Sequence, residues 1–331
     1  MPLITLRQAL DAARQGGYGI GAFNVTDLVQ VEAVLEAASE KSAPVIVQTI
    51  VGASAFRSDE LFWEAMLGAV ARYPEVPAVV HLDHGPDERS CERALAAGFS
   101  SVMIDGSVDH ETKLPRSFEA NIEITASVVA KARKLGVSVE GELGTIGGAE
   151  SDGTPTTEII LADPAEAEEF VARTGVDALA VAIGTSHGAY KFTSPPDGSV
   201  LHMNLIEEIA SRVPGTHLVM HGSSSLPADI REEINRVGGE LPESWGVPED
   251  EKARSTKLGV TKINQGMDSH MAYMAGLRGH LAQDRLTVDP APAQKRGADR
   301  MRAIIAERMD VFGQAGHAED HEWVPFGAAG M

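Results

Sequence analysis

The chain has 331 residues, 43% of them hydrophobic, and a formal net charge of −20. That length and apolar content are enough for a sizeable core, in one large α/β domain or two small ones. The charge argues against nucleic acid and anionic membrane, which need a basic surface, and any anionic substrate must be held by local positive groups. The single cysteine, Cys91, excludes an internal disulfide framework and suits a reducing cytosol. Met1 to Gln8 has no basic segment followed by a long apolar one, so no secretory signal is expected. No apolar run approaches the roughly 20 residues of a membrane span. A soluble, cytoplasmic protein is expected.

Thr5 to Gln15 reads as a short amphipathic helix closed by Gly16 and Gly17. Ile20 to Asn24 reads as a strand. Thr26 to Lys41 carries Leu28, Val31, Val34, Leu35 and Ala38 at helical spacing, and Pro44 stops it before a strand over Val45 to Thr49. A helix over Glu60 to Arg72 precedes the strand Val79 to Gly85, and Glu88 to Ala97 is a helix ended by Gly98. Ser101 to Asp105 is a strand, Phe118 to Leu135 a long helix and Val137 to Glu142 a strand. Gly144 to Asp163 is polar and rich in glycine, which reads as a mobile loop. Pro164 to Thr174, Asn204 to Arg212, Ala228 to Val237 and Asp268 to His280 are predicted helices. Asp177 to Ile183, Leu218 to Met220 and Leu258 to Asn264 are predicted strands. Gly238 to Thr256 is an acidic insertion. Residues 288–331 supply a Pro-rich joint, a helix to about Phe312 and a loose tail. Eight strand–helix units in strict alternation predict an α/β fold, a closed (β/α)8 TIM barrel, as a single domain over residues 1–331. An open doubly wound sheet is the alternative, but no G-x-G-x-x-G follows the first strand.

In such a barrel the C-terminal ends of the strands share one mouth. His84, His187 and His221 each close a strand and each precede a glycine. One isolated histidine of this kind is ordinarily a satisfied core or turn residue. Three at the same station favour a metal, because three imidazoles with an open fourth position make a catalytic Zn2+ site. Asp83, beside His84, is placed for proton transfer or for orienting a histidine. His81 shares its strand face and is expected to support that aspartate. Glu140 and Glu142 point into the barrel, which is costly unless cations or a metal pair them. Glu150, in the Gly-rich stretch, is an ordinary exposed glutamate or a mobile general base. Gly188, Lys191, Gly222, Ser223 and Ser224 suggest an anion site made by backbone N–H groups and one ammonium.

These residues resemble the class II, metal-dependent fructose-bisphosphate aldolases. The matching segments are Ala22 to Asn24, His81 to Gly85, Glu140 to Gly144 with Gly147 to Glu150, Gly184 to Lys191, His221 to Ser224 and Lys262 to Asn264. They run in order over most of the chain. The resemblance implies a TIM barrel that forms a homodimer or homotetramer and cleaves ketose bisphosphates reversibly with zinc. It implies that His84, His187 and His221 bind the zinc, with Glu142 beside it as a contact of a shifted metal position. By the same resemblance the zinc polarises the ketose carbonyl and stabilises the enediolate. Asp83 then exchanges the C4 hydroxyl proton and Glu150 exchanges the proton of the enediolate carbon. Gly188, Lys191, Gly222 and Ser224 would hold the dihydroxyacetone phosphate end, often with a monovalent cation (Na+ or K+) nearby, and Asn264 the dihydroxyacetone part.

The departures cluster after Asn264. The family reads Asn-x-Asp-Thr/Ser-Asp, with an arginine soon after. Here Gly266 replaces the substrate-contacting Asp, Met267 the phosphate-contacting Thr or Ser, and His270 falls at the arginine. Further on, Ala291 stands where the family's Asp-Pro-Arg has its arginine. Losing bidentate arginine contacts to a phosphate costs several kcal/mol. The expectation is therefore a zinc aldolase whose nominal substrate is fructose 1,6-bisphosphate, cleaved to dihydroxyacetone phosphate and glyceraldehyde 3-phosphate. The same chemistry on tagatose bisphosphate or a ketose monophosphate, a non-catalytic barrel supporting a partner aldolase, and a zinc hydrolase are the alternatives.

Overall fold

The computed structural model describes residues 3–112, 114–144, 147–149, 155–156, 160–187, 192 and 194–327, and for 147–149, 155–156 and 187 the backbone alone. Eight parallel strands close into the expected barrel: β1 (Ile20–Asn24), β2 (Val45–Thr49), β3 (Ala78–Gly85), β4 (Ser101–Ile104), β5 (Ser138–Leu143), β6 (Ala178–Val181), β7 (His217–Met220) and β8 (Val260–Gln265). Each pairs with its sequence neighbours, and β8 returns to β1, where Ala22 lies opposite Asn264. Local chemistry punctuates the helices between them. Thr5, Asp27, Ser58, Asp87, Ser117 and Asp163 each accept a backbone N–H at a helix start. Gly17, Gly98 and Gly175 end helices in the left-handed region that costs glycine least.

Two apolar layers form. One lies between strands and outer helices and takes the outward strand residues, among them Val80, Leu82, Val139, Leu179, Met220 and Ile263. The other fills the lower barrel with Ala22, Ile46, Val79, Met103, Ala178, Ala180 and Val219. The helix Leu6–Gly16 plugs that end with Leu6, Ala9, Leu10 and Ala13. Above this plug the inward positions turn polar: Gln48, His81, Asp83, Glu140, Glu142 and Lys262 are all buried. The period of two thus puts a greasy floor and a charged upper layer inside one barrel.

The structure departs from the sequence reading in two places. The stretch expected to be a loop, Gly144 to Asp163, contains two short strands. Gly147–Ala149 pairs antiparallel with Pro155–Thr156 and parallel with Ser186–His187, so Gly148 stands opposite His187. The acidic insertion contains a helix, Glu249–Thr256. Its buried face is Glu251, Lys252, Ser255 and Thr256. A helix buried through polar groups shows no apolar periodicity. The C-terminal helix, Pro290–Val311, packs on Met267–Gln283 and on Leu28–Glu40.

The turn after β3 leaves no room for a side chain at Gly85. A Cβ there would lie 2.4 Å from the Met103 carbonyl oxygen and 2.8 Å from Cys91 Sγ. Gly85→Ala is therefore expected to lower unfolding free energy by about 1–3 kcal/mol in a urea titration. A variant as stable as the parent would contradict this packing.

Candidate active site

The mouth is assembled from strand ends. His84 closes β3 at a φ of 43°, a left-handed conformation that costs a non-glycine residue energy and is held by its surroundings. His84 Nδ1 lies 3.3 Å from Asp105 Oδ2, just past the end of β4, and His110 Nε2 lies 3.4 Å from the same oxygen. His221, one residue past β7, has Nε2 2.8 Å from Glu140 Oε1. These partners assign the tautomers. His84 donates through Nδ1 and His221 through Nε2, so each keeps a lone pair on its other nitrogen. Those two nitrogens, His84 Nε2 and His221 Nδ1, face each other at 2.9 Å. Two facing lone pairs suit a shared cation, and Asn264 Nδ2 also lies 3.3 Å from His221 Nδ1. Burial, and then His84, push the His221 imidazole well below its ordinary pKa, so that ring is neutral and offers a lone pair.

The rest of the donor set fits a metal ion. Asp83, His84 and His221 bring one ligand atom each within 4.8 Å of one another, and so do His84, Asp105 and Glu142. Glu142 Oε2 is 4.0 Å from His84 Nδ1. His187 is carried to the same mouth by its pairing with Gly148, and a Cβ at Gly222 would lie 2.6 Å from the Ser186 carbonyl oxygen. The backbone of Ser186 therefore packs directly on the turn that follows His221. The His187 side chain, Glu150, Gly188 and Lys191 lie outside the described residues.

The two inward glutamates have different supports. Glu140 Oε2 is 2.8 Å from Lys262 Nζ, both side chains fully buried. His81 completes this floor, with Nδ1 2.8 Å from Ser101 Oγ and Nε2 3.4 Å from Lys262 Nζ. The expectation that His81 supports Asp83 is thus corrected: its contacts among the described residues are Ser101, Lys262 and Glu140. A strand face is shared by residues whose side chains reach different neighbours.

Asp83 is held instead by amides. Its Oδ2 accepts from Asn24 Nδ2 at 2.8 Å and Gln48 Nε2 at 3.2 Å, and its Oδ1 accepts from Asn264 Nδ2 at 3.1 Å. Burial raises this carboxyl, but His84, His221, Lys262 and the Asn24 amide together hold it below the usual carboxylate range. It is an ionised carboxylate whose orientation the amides fix. Asn24, Gln48, Asp105 and Lys262 were not singled out as site residues from sequence, whereas Glu140 was expected to need a cation, and Lys262 is that cation. The available signal was a polar residue on an otherwise apolar strand, as Gln48 is on β2.

The turn Gly222 to Ser224 follows His221, with Gly222 at a φ of 59°. Ser223 Oγ donates to the Asn264 carbonyl and accepts from Gln265 Nε2 at 2.9 Å, so this hydroxyl braces β8. The amides of Ser223 and Ser224 have no acceptor among the described residues. The residues that break the expected pattern follow β8 directly and lead into the helix Met267–Gln283. A Cβ at Gly266 would come 3.1 Å from Asn24 Oδ1. Met267 lines a small, mainly apolar cavity with Leu226, Leu241 and Met271. Burial lowers the His270 pKa, so that position carries no standing charge at neutral pH.

The chain matches the family described as "Fructose-bisphosphate aldolase class-II" over residues 4–317. It is 44% identical over 329 residues to the plasmid fructose-bisphosphate aldolase of Cupriavidus necator, covering 96% of this chain and 95% of that one. It is 46% identical over 329 residues to the fructose-bisphosphate aldolase of Nostoc sp., covering 96% and 92%. Among solved structures it is similar to the YdjI aldolase from Escherichia coli K12, with a TM-score of 0.76 and 27% identity over 96% of this chain and all of that one. Family-wide matching, the closed barrel and the histidine–carboxylate mouth agree, and the chain belongs to the class II fructose-bisphosphate aldolase family.

Proposed function

We propose that the protein is a zinc-dependent aldolase that reversibly splits a ketose phosphate into dihydroxyacetone phosphate and an aldehyde. Fructose 1,6-bisphosphate and glyceraldehyde 3-phosphate are the nominal substrate and product. The observation that carries the reading is the facing pair His84 Nε2 and His221 Nδ1 beside an ionised, amide-held Asp83. His84, His187 and His221 would hold the metal, with Glu142 alongside. The chemistry that a bound zinc supplies is Lewis-acid polarisation of the ketose carbonyl. Asp83 takes the C4 hydroxyl proton during cleavage and returns it during condensation. Glu150 is assigned the proton at the dihydroxyacetone carbon. The turn amides, with Gly188 and Lys191, hold the phosphate, and a monovalent cation nearby is part of the same reading. A cytoplasmic homodimer or homotetramer is also proposed. No helix among the described residues is long and apolar enough to cross a membrane.

A second reading keeps the chemistry and changes the substrate. Gly266, Met267 and an uncharged His270 supply neither carboxylate, hydroxyl nor cation where the family has them. A ketose monophosphate would make fewer demands there, whereas tagatose bisphosphate carries the same second phosphate and differs only in configuration at C4. The two readings separate on steady-state kinetics with a panel of aldehydes in the condensation direction. Efficiency on fructose 1,6-bisphosphate is expected below roughly 10⁶ M⁻¹s⁻¹, with another substrate better. A value at or above that level for fructose 1,6-bisphosphate would sink the altered-specificity idea.

Zinc removal is expected to abolish cleavage, and readdition to restore it. A protein that keeps its activity in chelator, or that yields no dihydroxyacetone phosphate from any ketose phosphate, would contradict the assignment. Asp83→Ala is expected to lower kcat by roughly 10²–10⁴-fold with zinc content unchanged. Asp105 fixes the His84 tautomer, so Asp105→Asn is expected to weaken zinc binding by about 10–100-fold in competition with a chelating dye. Circular dichroism should show the fold intact.

A further inference from the structure

The phosphate turn after β7 is tied to distant parts of the chain by a buried charge cluster that the reaction itself does not use. Asp268, fully buried near the start of the helix Met267–Gln283, accepts two successive amides: Ser225 N at 3.0 Å through Oδ2 and Leu226 N at 2.8 Å through Oδ1. Leu226 has a φ of 54°, a conformation that a branched side chain rarely adopts, and the Asp268 carboxylate holds its amide there. The carboxylate is fixed in turn by Arg308 of the C-terminal helix, whose Nε lies 3.4 Å from Asp268 Oδ2. Arg308 Nη2 also pairs with Glu249 Oε1 at 3.0 Å. Glu249 pairs with Lys252 Nζ at 3.0 Å, and Lys252 Nζ donates to Ser225 Oγ at 2.7 Å. Two acids and two bases therefore converge on Ser225, one residue beyond the proposed phosphate turn.

The same turn is clamped a second time. Gly246 N donates to the Ser225 carbonyl at 3.1 Å and Val247 N to the Ser224 carbonyl at 3.2 Å. A Cβ at Gly246 would lie 2.0 Å from that Ser224 oxygen, so the strap sits directly against the turn. Trp245, the preceding residue, exchanges backbone hydrogen bonds with Phe192 at 3.2 and 3.3 Å, next to the segment that carries Lys191. The strap Trp245 to Val247 thus ties the turn after β7 to Phe192.

We propose that Asp268, locked by Arg308, is the positioning residue that aims the Ser223 and Ser224 amides at the substrate phosphate. The C-terminal helix is through this contact part of the phosphate grip. The inference deepens the aldolase reading and rests on it. An amide cradle binds an oxyanion only when its N–H groups converge, and a backbone in the left-handed region relaxes once its restraint goes. Loss of Asp268 is therefore felt in substrate binding more than in turnover.

The test uses the full-length, zinc-loaded protein. In the condensation direction Asp268→Asn is expected to raise KM for dihydroxyacetone phosphate by at least ~10-fold, with kcat within about threefold and zinc content unchanged. Thermal stabilisation by inorganic phosphate should be lost together with the low KM. Arg308→Lys keeps the charge and loses the fork, so it should raise KM by a smaller factor in the same direction. That variant decides the matter if Asp268→Asn does not fold. An unchanged KM with phosphate protection intact, in whichever variant folds, overturns the proposal, as does an equal fall in kcat with loss of zinc. If the parent protein cleaves no ketose phosphate the aldolase reading fails, and the phosphate-protection comparison alone still decides the role of Asp268.

Discussion

The contact between Lys262 and Glu140, fully buried at 2.8 Å, is the constraint from which the mouth of the barrel follows. Neither charge tolerates that depth alone, and removing one partner of such a pair costs about 3–5 kcal/mol. Together they form a charged platform directly above the apolar plug of the lower barrel. Glu140 then presents its other oxygen to His221 Nε2, which turns the opposite nitrogen toward His84. His81 buttresses the platform from β3, the strand that also carries Asp83 and His84. The orientation of His221 is thus inherited from a fully buried ion pair. Burying charge is expensive, and here it fixes one tautomer and one ring orientation out of several.

A similar division of labour holds Asp83. Three amides, from β1, β2 and β8, grip the carboxylate, and nearby positive potential keeps it ionised despite burial. These amides sit opposite one another because the strands pair in register, with Asn24 beside Gln48 and Ala22 beside Asn264. The grip on Asp83 is therefore a property of the closed barrel, and no single loop determines it. Gly266 belongs to the same arrangement. A larger residue there would press on Asn24, so Gly266 and Asp83 share a neighbour.

The eight strands and their helices were legible because apolar residues at periods of two and 3.6 alternate cleanly along the chain, and because Asp, Ser, Thr and Gly mark the helix ends. The strand-end histidines were legible for the same reason: the pattern breaks there. Asp105 and Lys262 were not, since a charged residue on a strand reveals its partner only once the barrel closes. The helix Glu249–Thr256 was hidden because ion pairs bury it. The short strands around Gly148 were hidden because three-residue pairs of glycine and alanine carry no periodicity. His81 illustrates the limit of face arguments, since its face matched that of Asp83 while its partners lay on β4, β5 and β8.

Zinc-edge anomalous diffraction from crystals of the full-length protein grown with zinc tests the central claim most directly. The account predicts one peak per chain at the mouth, within about 2.0–2.1 Å of both His84 Nε2 and His221 Nδ1. Glu140 should remain on His221 Nε2 and Asp105 on His84 Nδ1. A peak elsewhere, or His84 and His221 still in direct contact in a zinc-saturated crystal, would contradict it.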